Sequence, residues 1–274
     1  MADALEFLRG LGSTLAMVAA VYAGATVLER LWPAERGQPW RRAAFNVALG
    51  VLLFIISAVL VRLLHPLIAP LIASPVGGRL RIELPDGLWG SFLQVMAYFL
   101  VYDFFYYWWH RAQHELVWLW PQHELHHSDT ALNVTTSLRH HWLEDPLRVF
   151  AMAAPFGFLF YFKPASVPWI VTLLGLWPFF IHVNVRLPLG WLTPVIAGPQ
   201  YHRIHHSIEG LHWNRNYAAY FPLWDLVFGT AYLPRKGEWP ATGVPRGEPA
   251  GIGAALVGPF ADWRRMLRRR RASA

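Results

Sequence analysis

Long stretches of this chain carry no charge at all, and no other feature of the sequence limits its folding more. Gly10–Leu28, Ala43–Val61 and Gly87–Trp109 (interrupted only by Asp103) each approach the length that crosses a bilayer, about 17 to 25 residues. A fourth apolar block, Val149–Phe162, is shorter, and a fifth runs from Ala165 to Ile181 beyond Lys163 and Pro164. Only 15% of residues are charged and 55% are hydrophobic, far from the roughly 25% charged of a soluble domain. The expectation is an integral membrane protein, all-α, because lipid-exposed backbone must satisfy its own hydrogen bonds. Leu63–Gly78 and the 149–181 block could instead be re-entrant hairpins. The first run has neither a basic start nor a clean small-residue cleavage site, so it reads as a span rather than a cleaved leader.

Arginine placement sets the expected orientation. The linker Glu29–Arg42 holds Arg30, Arg36, Arg41 and Arg42 and is expected to face the cytoplasm. Five spans then leave the N-terminus outside, with the segment His110–Arg148 and everything after Arg186 inside. The tail Arg264–Arg271, RRMLRRRR, agrees with that placement. The net charge of +7 is almost all arginine, 22 against 2 lysines, and suits anionic lipid head groups. No aromatic-basic surface suggests nucleic-acid binding.

Histidine is concentrated on that same side. QHELHHSD carries His123, His126 and His127; YHRIHHSI repeats the spacing at His202, His205 and His206; WHRAQHE carries His110 and His114. On a helix, positions i, i+3 and i+4 share a face, so each cluster projects its imidazoles together. Eight imidazoles exceed what one ion takes, which argues for two metals. The chain has no cysteine, so thiolate and iron–sulfur ligation are excluded and any site is built from imidazole and carboxylate. His182, ending the fifth apolar block, is a further candidate ligand, because an ionisable group at membrane depth is costly without a partner. Of His140 and His141, in RHHWLED, one could reach the site; His65 and His212 match no metal spacing and read as interfacial and loop residues. Asp103, Glu124, Glu144 and Asp225 are candidate partners for the outer N–H of a ligand, with Asp103 foremost and Glu124 better read as a solvated helix face.

Six motifs in order, DFFYYWWHRAQHE, WPQHELHHSD, RHHWLED, IHVNVRLPLG, YHRIHHS and NRNYAAYFPLWDLVFGT, resemble the fatty acid hydroxylase/sterol desaturase superfamily from about Asp103 to Leu233. The resemblance implies two iron ions held by His110, His114, His123, His126, His127, His182, His202, His205 and His206, with His141 as a further ligand and Asp103, Asn184 and Glu144 behind them. The family's R-x-H-P-x-E element falls on Arg139, His141 and Glu144 with Trp142 in place of proline; its N-x-N-Y-G element falls on Asn214, Asn216 and Tyr217 with Ala218 in place of glycine.

What the resemblance implies is an oxidoreductase that uses O2 and two electrons to hydroxylate or desaturate a C–H bond of a bilayer lipid, sterol, isoprenoid or acyl. Electrons would come from a separate reductase or small carrier, since no dinucleotide or haem module is present. The expected layout is one domain, 1–274: N-terminal spans 1–109, a first histidine region 110–148, an apolar hairpin 149–185, a second histidine region 186–233 and a basic tail 234–274. Four or five membrane helices would carry a cytoplasmic helical cap, in a bacterial inner membrane given the arginine-rich, GC-type composition. Phe104–Trp109 could line a substrate entrance or form an interfacial belt. A metal transporter would place histidines within the spans, and a zinc hydrolase would want fewer imidazoles and a carboxylate base. Neither matches these spacings as well.

Overall fold

The computed structural model describes residues 2–72, 80–81, 87–153, 155, 159–161 and 167–272. Helices dominate: α1 (Ala2–Leu31), α2 (Trp40–Ile72), α3 (Leu88–Glu115), α4 (Trp120–His127), α5 (Glu144–Arg148), α6 (Val167–His182), α7 (Pro199–His205), α8 (Leu223–Val227) and α9 (Ile252–Ala272). The all-helical expectation needs one small amendment, a parallel pair of two-residue strands, β1 (Leu80–Arg81) and β2 (Phe160–Tyr161).

Among the described residues two helices are long and apolar enough to cross a membrane, Trp40–Leu67 within α2 and the whole of α3. Their surfaces support a lipid environment. Val47, Val51, Ile55, Val59, Leu63 and Leu67 form a stripe along α2, each between 41% and 68% exposed. An unbroken apolar face of that length is not left open to water by a soluble domain. The first apolar run lies in α1 and the fifth in α6. The described part of the fourth holds a π-helical turn, Val149–Ala153, helical positions at Pro155 and Leu159, and strand β2; the rest of it lies outside the described residues, as does the end of Leu63–Gly78.

The short helices gather beyond the cytoplasmic-side end expected for α3. α4 packs on α3 and α9, α7 on α6, and α8 on α3. Between them lies a 3-10 turn, Val134–Leu138, against α1, α2 and α6. Asn133 caps it, its side chain accepting the Thr135 N–H while the Thr136 hydroxyl accepts the Asn133 N–H, so the turn's orphan donors are satisfied locally.

Buried polar groups, more than apolar packing, tie the parts together. Asp103, wholly buried on α3, accepts the backbone N–H groups of Ala219 (3.0 Å), Tyr220 (3.2 Å) and Phe221 (2.7 Å). Asp225 on α8 accepts those of Tyr217 and Ala218, both at 2.8 Å, and the hydroxyls of Tyr201 and Thr230. The loop 217–221 is thus clamped from both ends. Just before it, Asn214 and Asn216 hold left-handed φ of 57° and 60°, where asparagine is tolerated better than most residues. A second knot surrounds Arg139, fully buried, which donates to Leu125 O, Asn46 Oδ1 and Ser128 Oγ. Asp129 sits beside it, accepting from Asn46, Thr136 and the Ala131 N–H. At the end of α1, Glu29 accepts the N–H groups of Val134 and Asn184, both at 2.7 Å.

The aromatic run on α3 is mostly packing. Phe104 meets Trp224 at 4.9 Å, Tyr107 stacks on Phe228 at 5.2 Å, and Tyr107 is fully buried with its hydroxyl on Thr230. These rings seat α8 on α3.

Candidate metal centre

Nine histidines converge in the interior, in two adjoining groups. His110, His114, His123, His127 and His205 form one; His126, His182, His202 and His206 form the other; within each group the ring nitrogens lie within 4.8 Å of one another. The i, i+3, i+4 spacing does not send all three imidazoles of a cluster to one point. On α4 the i, i+4 pair, His123 and His127, joins the five-histidine group while His126 crosses to the four. On α7 the i, i+4 pair, His202 and His206, joins the four while His205 crosses to the five. Each HxxHH therefore straddles both groups.

Outer hydrogen bonds fix the rings. The Nδ1 atoms of His110, His126, His182 and His205 face the carbonyls of Tyr217 (2.7 Å), Arg139 (3.2 Å), Pro178 and Arg215 (2.8 Å). A carbonyl only accepts, so each Nδ1 carries the proton and each Nε2 presents a bare lone pair. Those lone pairs face one another: His110 Nε2 is 3.0 Å from His123 Nε2, and His182 Nε2 is 3.2 Å from His126 Nε2 and 3.0 Å from His202 Nε2. Nitrogen lone pairs so placed repel unless a proton or a metal ion lies among them.

Protonation is disfavoured. Burial, and then the neighbouring imidazoles, hold His126, His127, His202 and His206 well below the ordinary histidine pKa, and burial pushes His205 down to about 3. Metal–imidazole bonds of about 2.1 Å at near-right angles separate cis nitrogens by about 3 Å, which matches the contacts just given. The Nε2 atoms of His114 and His205 are buried without a hydrogen-bond partner, a costly state that ligation would relieve. The donor set, neutral imidazole throughout, fits two transition-metal ions.

Not every expected residue arrives there. His141 does not: its Nε2 faces Leu256 O of α9 at 3.0 Å and its Nδ1 accepts the nearby Leu143 N–H, so both nitrogens are engaged away from the two groups. Its neighbour His140 stands at the site instead, stacked on His126. Glu144 does reach the site, with carboxylate contacts to His123 Nδ1 (3.4 Å), His140 Nδ1 (3.2 Å) and Gln113 Nε2 (3.1 Å). Burial would lower the His140 pKa, but the Glu144 charge and hydrogen bond outweigh it and raise it. Asp103 and Asp225 act at one remove, holding the loop whose Tyr217 carbonyl orients His110. Asn184 touches no histidine ring in the two groups; its side chain accepts the Glu35 N–H and donates to Glu35 O, locking the α1–α2 linker beneath His182. Glu124 is not a solvated face residue: it pairs with Arg246 at 2.9 Å and is 15% exposed. His212 is buried, its Nδ1 against Ser207 Oγ, and His65 is exposed on α2.

Sequence reasoning overlooked Asn46, Asp129 and Gln113. Asn46 was the legible one, a polar residue inside an apolar span, where it needs a partner.

Comparison with known proteins bears on the same region. The model of the fatty acid hydroxylase family matches residues 95–230. An alkylglycerol monooxygenase of Xenopus tropicalis is 34% identical over 57% of this chain and 33% of its own length. The ornithine lipid hydroxylase of Rhizobium tropici is 29% identical over 63% of this chain and 52% of its own, and human lathosterol oxidase 28% over 57% and 50%. The chain thus spans between a third and about half of the length of these relatives. No solved structure matches.

Proposed function

The chain belongs to the fatty acid hydroxylase/sterol desaturase superfamily, and from that premise we propose that it is a membrane-bound di-iron oxygenase acting on a lipid C–H bond. The observation that carries the reading is the pair of histidine groups with bare Nε2 atoms turned inward. Two iron ions bound there would supply O2 activation, so that substrate C–H, O2, two electrons and two protons give C–OH and water, or an alkene and two waters.

The chain's own residues do the rest. His110, His114, His123, His127 and His205 hold one ion, and His126, His182, His202 and His206 the other. The carbonyls of Tyr217, Arg139, Pro178 and Arg215 fix the tautomers, and Glu144 steadies His123. Burial of eight of the nine histidines, with His114 half-buried, limits the access of bulk water to the reacting carbon. Electrons come from a separate carrier protein at the cytoplasmic face, and the arginine-rich linker and tail support that orientation of the histidine side. The relatives' names, alkylglycerol monooxygenase, ornithine lipid hydroxylase and lathosterol oxidase, support a lipid substrate.

The test is elemental analysis of protein purified in lipid nanodiscs after iron-replete growth, followed by turnover of membrane lipid under isotopically labelled O2. About two irons per chain, with label or unsaturation appearing in a lipid, are expected. His126→Ala and His205→Ala are expected to lose metal and activity together. Full metal and activity in both variants, or turnover indifferent to O2 and reductant, would sink the proposal.

A further inference from the structure

A cavity of about 430 Å³ has His114, His127 and His205 among its lining residues. These three all belong to the five-histidine group; none of the other four histidines lines it. Its remaining walls include the indoles of Trp120 and Trp213, with Val244 and Pro245. Glu124 and Arg246 also line it, joined at 2.9 Å, and the same two residues line a second hollow of about 200 Å³ between α4 and α9. That second hollow is bordered by Leu125, Ala254, Ala255, Gly258 and Pro259, small or apolar residues. Arg246, also paired with Asp262 at 2.6 Å, therefore stands between the two spaces with a side chain 56% exposed.

We propose that these two adjoining spaces, which share Glu124 and Arg246, bind the lipid substrate, with its reacting carbon beside His114, His127 and His205 and its chain between Trp120 and Trp213. The hollow between α4 and α9 continues the path towards the outside. Arg246 with Glu124 and Asp262 meets the polar part of an amphiphile carrying hydroxyl or zwitterionic groups. The inference rests on the oxygenase reading above. Three observations favour it. The cavity is of the size of small-molecule sites, about 300 to 1,000 Å³, and is mostly apolar with a few convergent polar groups. It ends at the metal ligands. And on α3, the other candidate entrance, Phe104, Tyr107 and Trp108 are taken up by packing on Trp224 and Phe228. The two metal positions are then unequal: the five-histidine one meets substrate and the four-histidine one is closed off from it.

The test is photo-crosslinking in nanodiscs with an alkyl ether glycerol bearing a diazirine on its chain, the adducts mapped by mass spectrometry. Adducts on Trp120, Trp213 or the 243–246 segment are expected, and competition by unlabelled lipid is expected to remove them. Val244→Trp, which fills the cavity from a wall position that supplies no histidine, is expected to abolish those adducts while bound metal stays at the wild-type level. The milder Val244→Phe provides the same readout if the tryptophan variant fails to fold. Adducts confined to the exposed faces of α2 and α3, or adducts undiminished in a folded Val244 variant, would overturn the proposal. Metal content is read separately, so a protein with no metal but with cavity adducts would fault the oxygenase reading and not this one.

Discussion

The imidazole of His140 lies almost flat against that of His126, ring centroids 4.5 Å apart and planes 11° apart. His140 nevertheless stands outside both histidine groups and spends its Nδ1 on Glu144. His140→Ala is therefore expected to leave metal content unchanged, because no inward-facing nitrogen is lost. Glu144→Gln, which weakens the hold on His123, is expected to lower metal affinity by about 10- to 100-fold. Competition with a chelator of known affinity measures both. Equal losses in the two variants would mean that His140 is a ligand.

Asp103 satisfies three backbone N–H groups at once from within a membrane helix. Asp103→Ala strands those donors in a buried place, at an expected cost of about 3 kcal/mol. The same change frees the loop that aims His110, so metal loss is expected to accompany the loss of stability. Thermal unfolding with and without added iron checks this, and a variant as stable as the wild type would contradict it.

Acid is expected to destabilise the metal-free protein. In the folded state His126, His127, His202, His205 and His206 resist protonation, whereas in the unfolded chain they take up protons near the ordinary value of 6.5. The unfolded state thus binds more protons, and stability rises with pH through that range. Each such ring contributes a slope of about 1.4 kcal/mol per pH unit below 6.5, until its depressed folded-state pKa is reached. Chemical unfolding of the apo protein between pH 5 and 8 reads the effect. A flat profile would show that these rings are already protonated or exposed.

Asn214 and Asn216 share a left-handed backbone but differ in what their side chains do. Asn216 donates to Tyr201 O and Tyr232 O and accepts the Tyr232 N–H, while Asn214 is exposed. Glycine suits the φ of both. Asn216→Gly is expected to cost about 2 to 3 kcal/mol from lost buried hydrogen bonds, and Asn214→Gly to be close to neutral. Similar losses at the two sites would mean that backbone strain, not side-chain bonding, governs the loop.

Much of the centre could be read from residue spacing. Helical periodicity placed the HxxHH and HxxxH imidazoles on common faces, and burial cost singled out His182. Periodicity alone could not tell which imidazoles share an ion. That depends on the crossing of α4 and α7, a tertiary relation, and it is why the i+3 residue of each triad goes across. His141 misled for a similar reason: adjacent to His140, it is turned to the opposite side, and only the packing of α9, through Leu256, decides which ring faces inward. Glu124 looked solvated because its partner Arg246 lies more than a hundred residues on. The helical character of the apolar runs was legible, whereas the break at Val149–Ala153 was not signalled by composition.

The crossed assignment of the two triads bears on how the protein acquires its metals. Neither α4 nor α7 belongs to one histidine group: each contributes to both. An ion arriving at either position fixes the azimuth of both helices, and so arranges the donors of its neighbour. The half-loaded protein would hold the donors of the vacant position already ordered, so the second ion would bind more readily than the first. Loading is therefore all-or-none in character, with the pair of ions behaving as one cofactor, and a titration of the apo protein should pass from none to two with little of the intermediate.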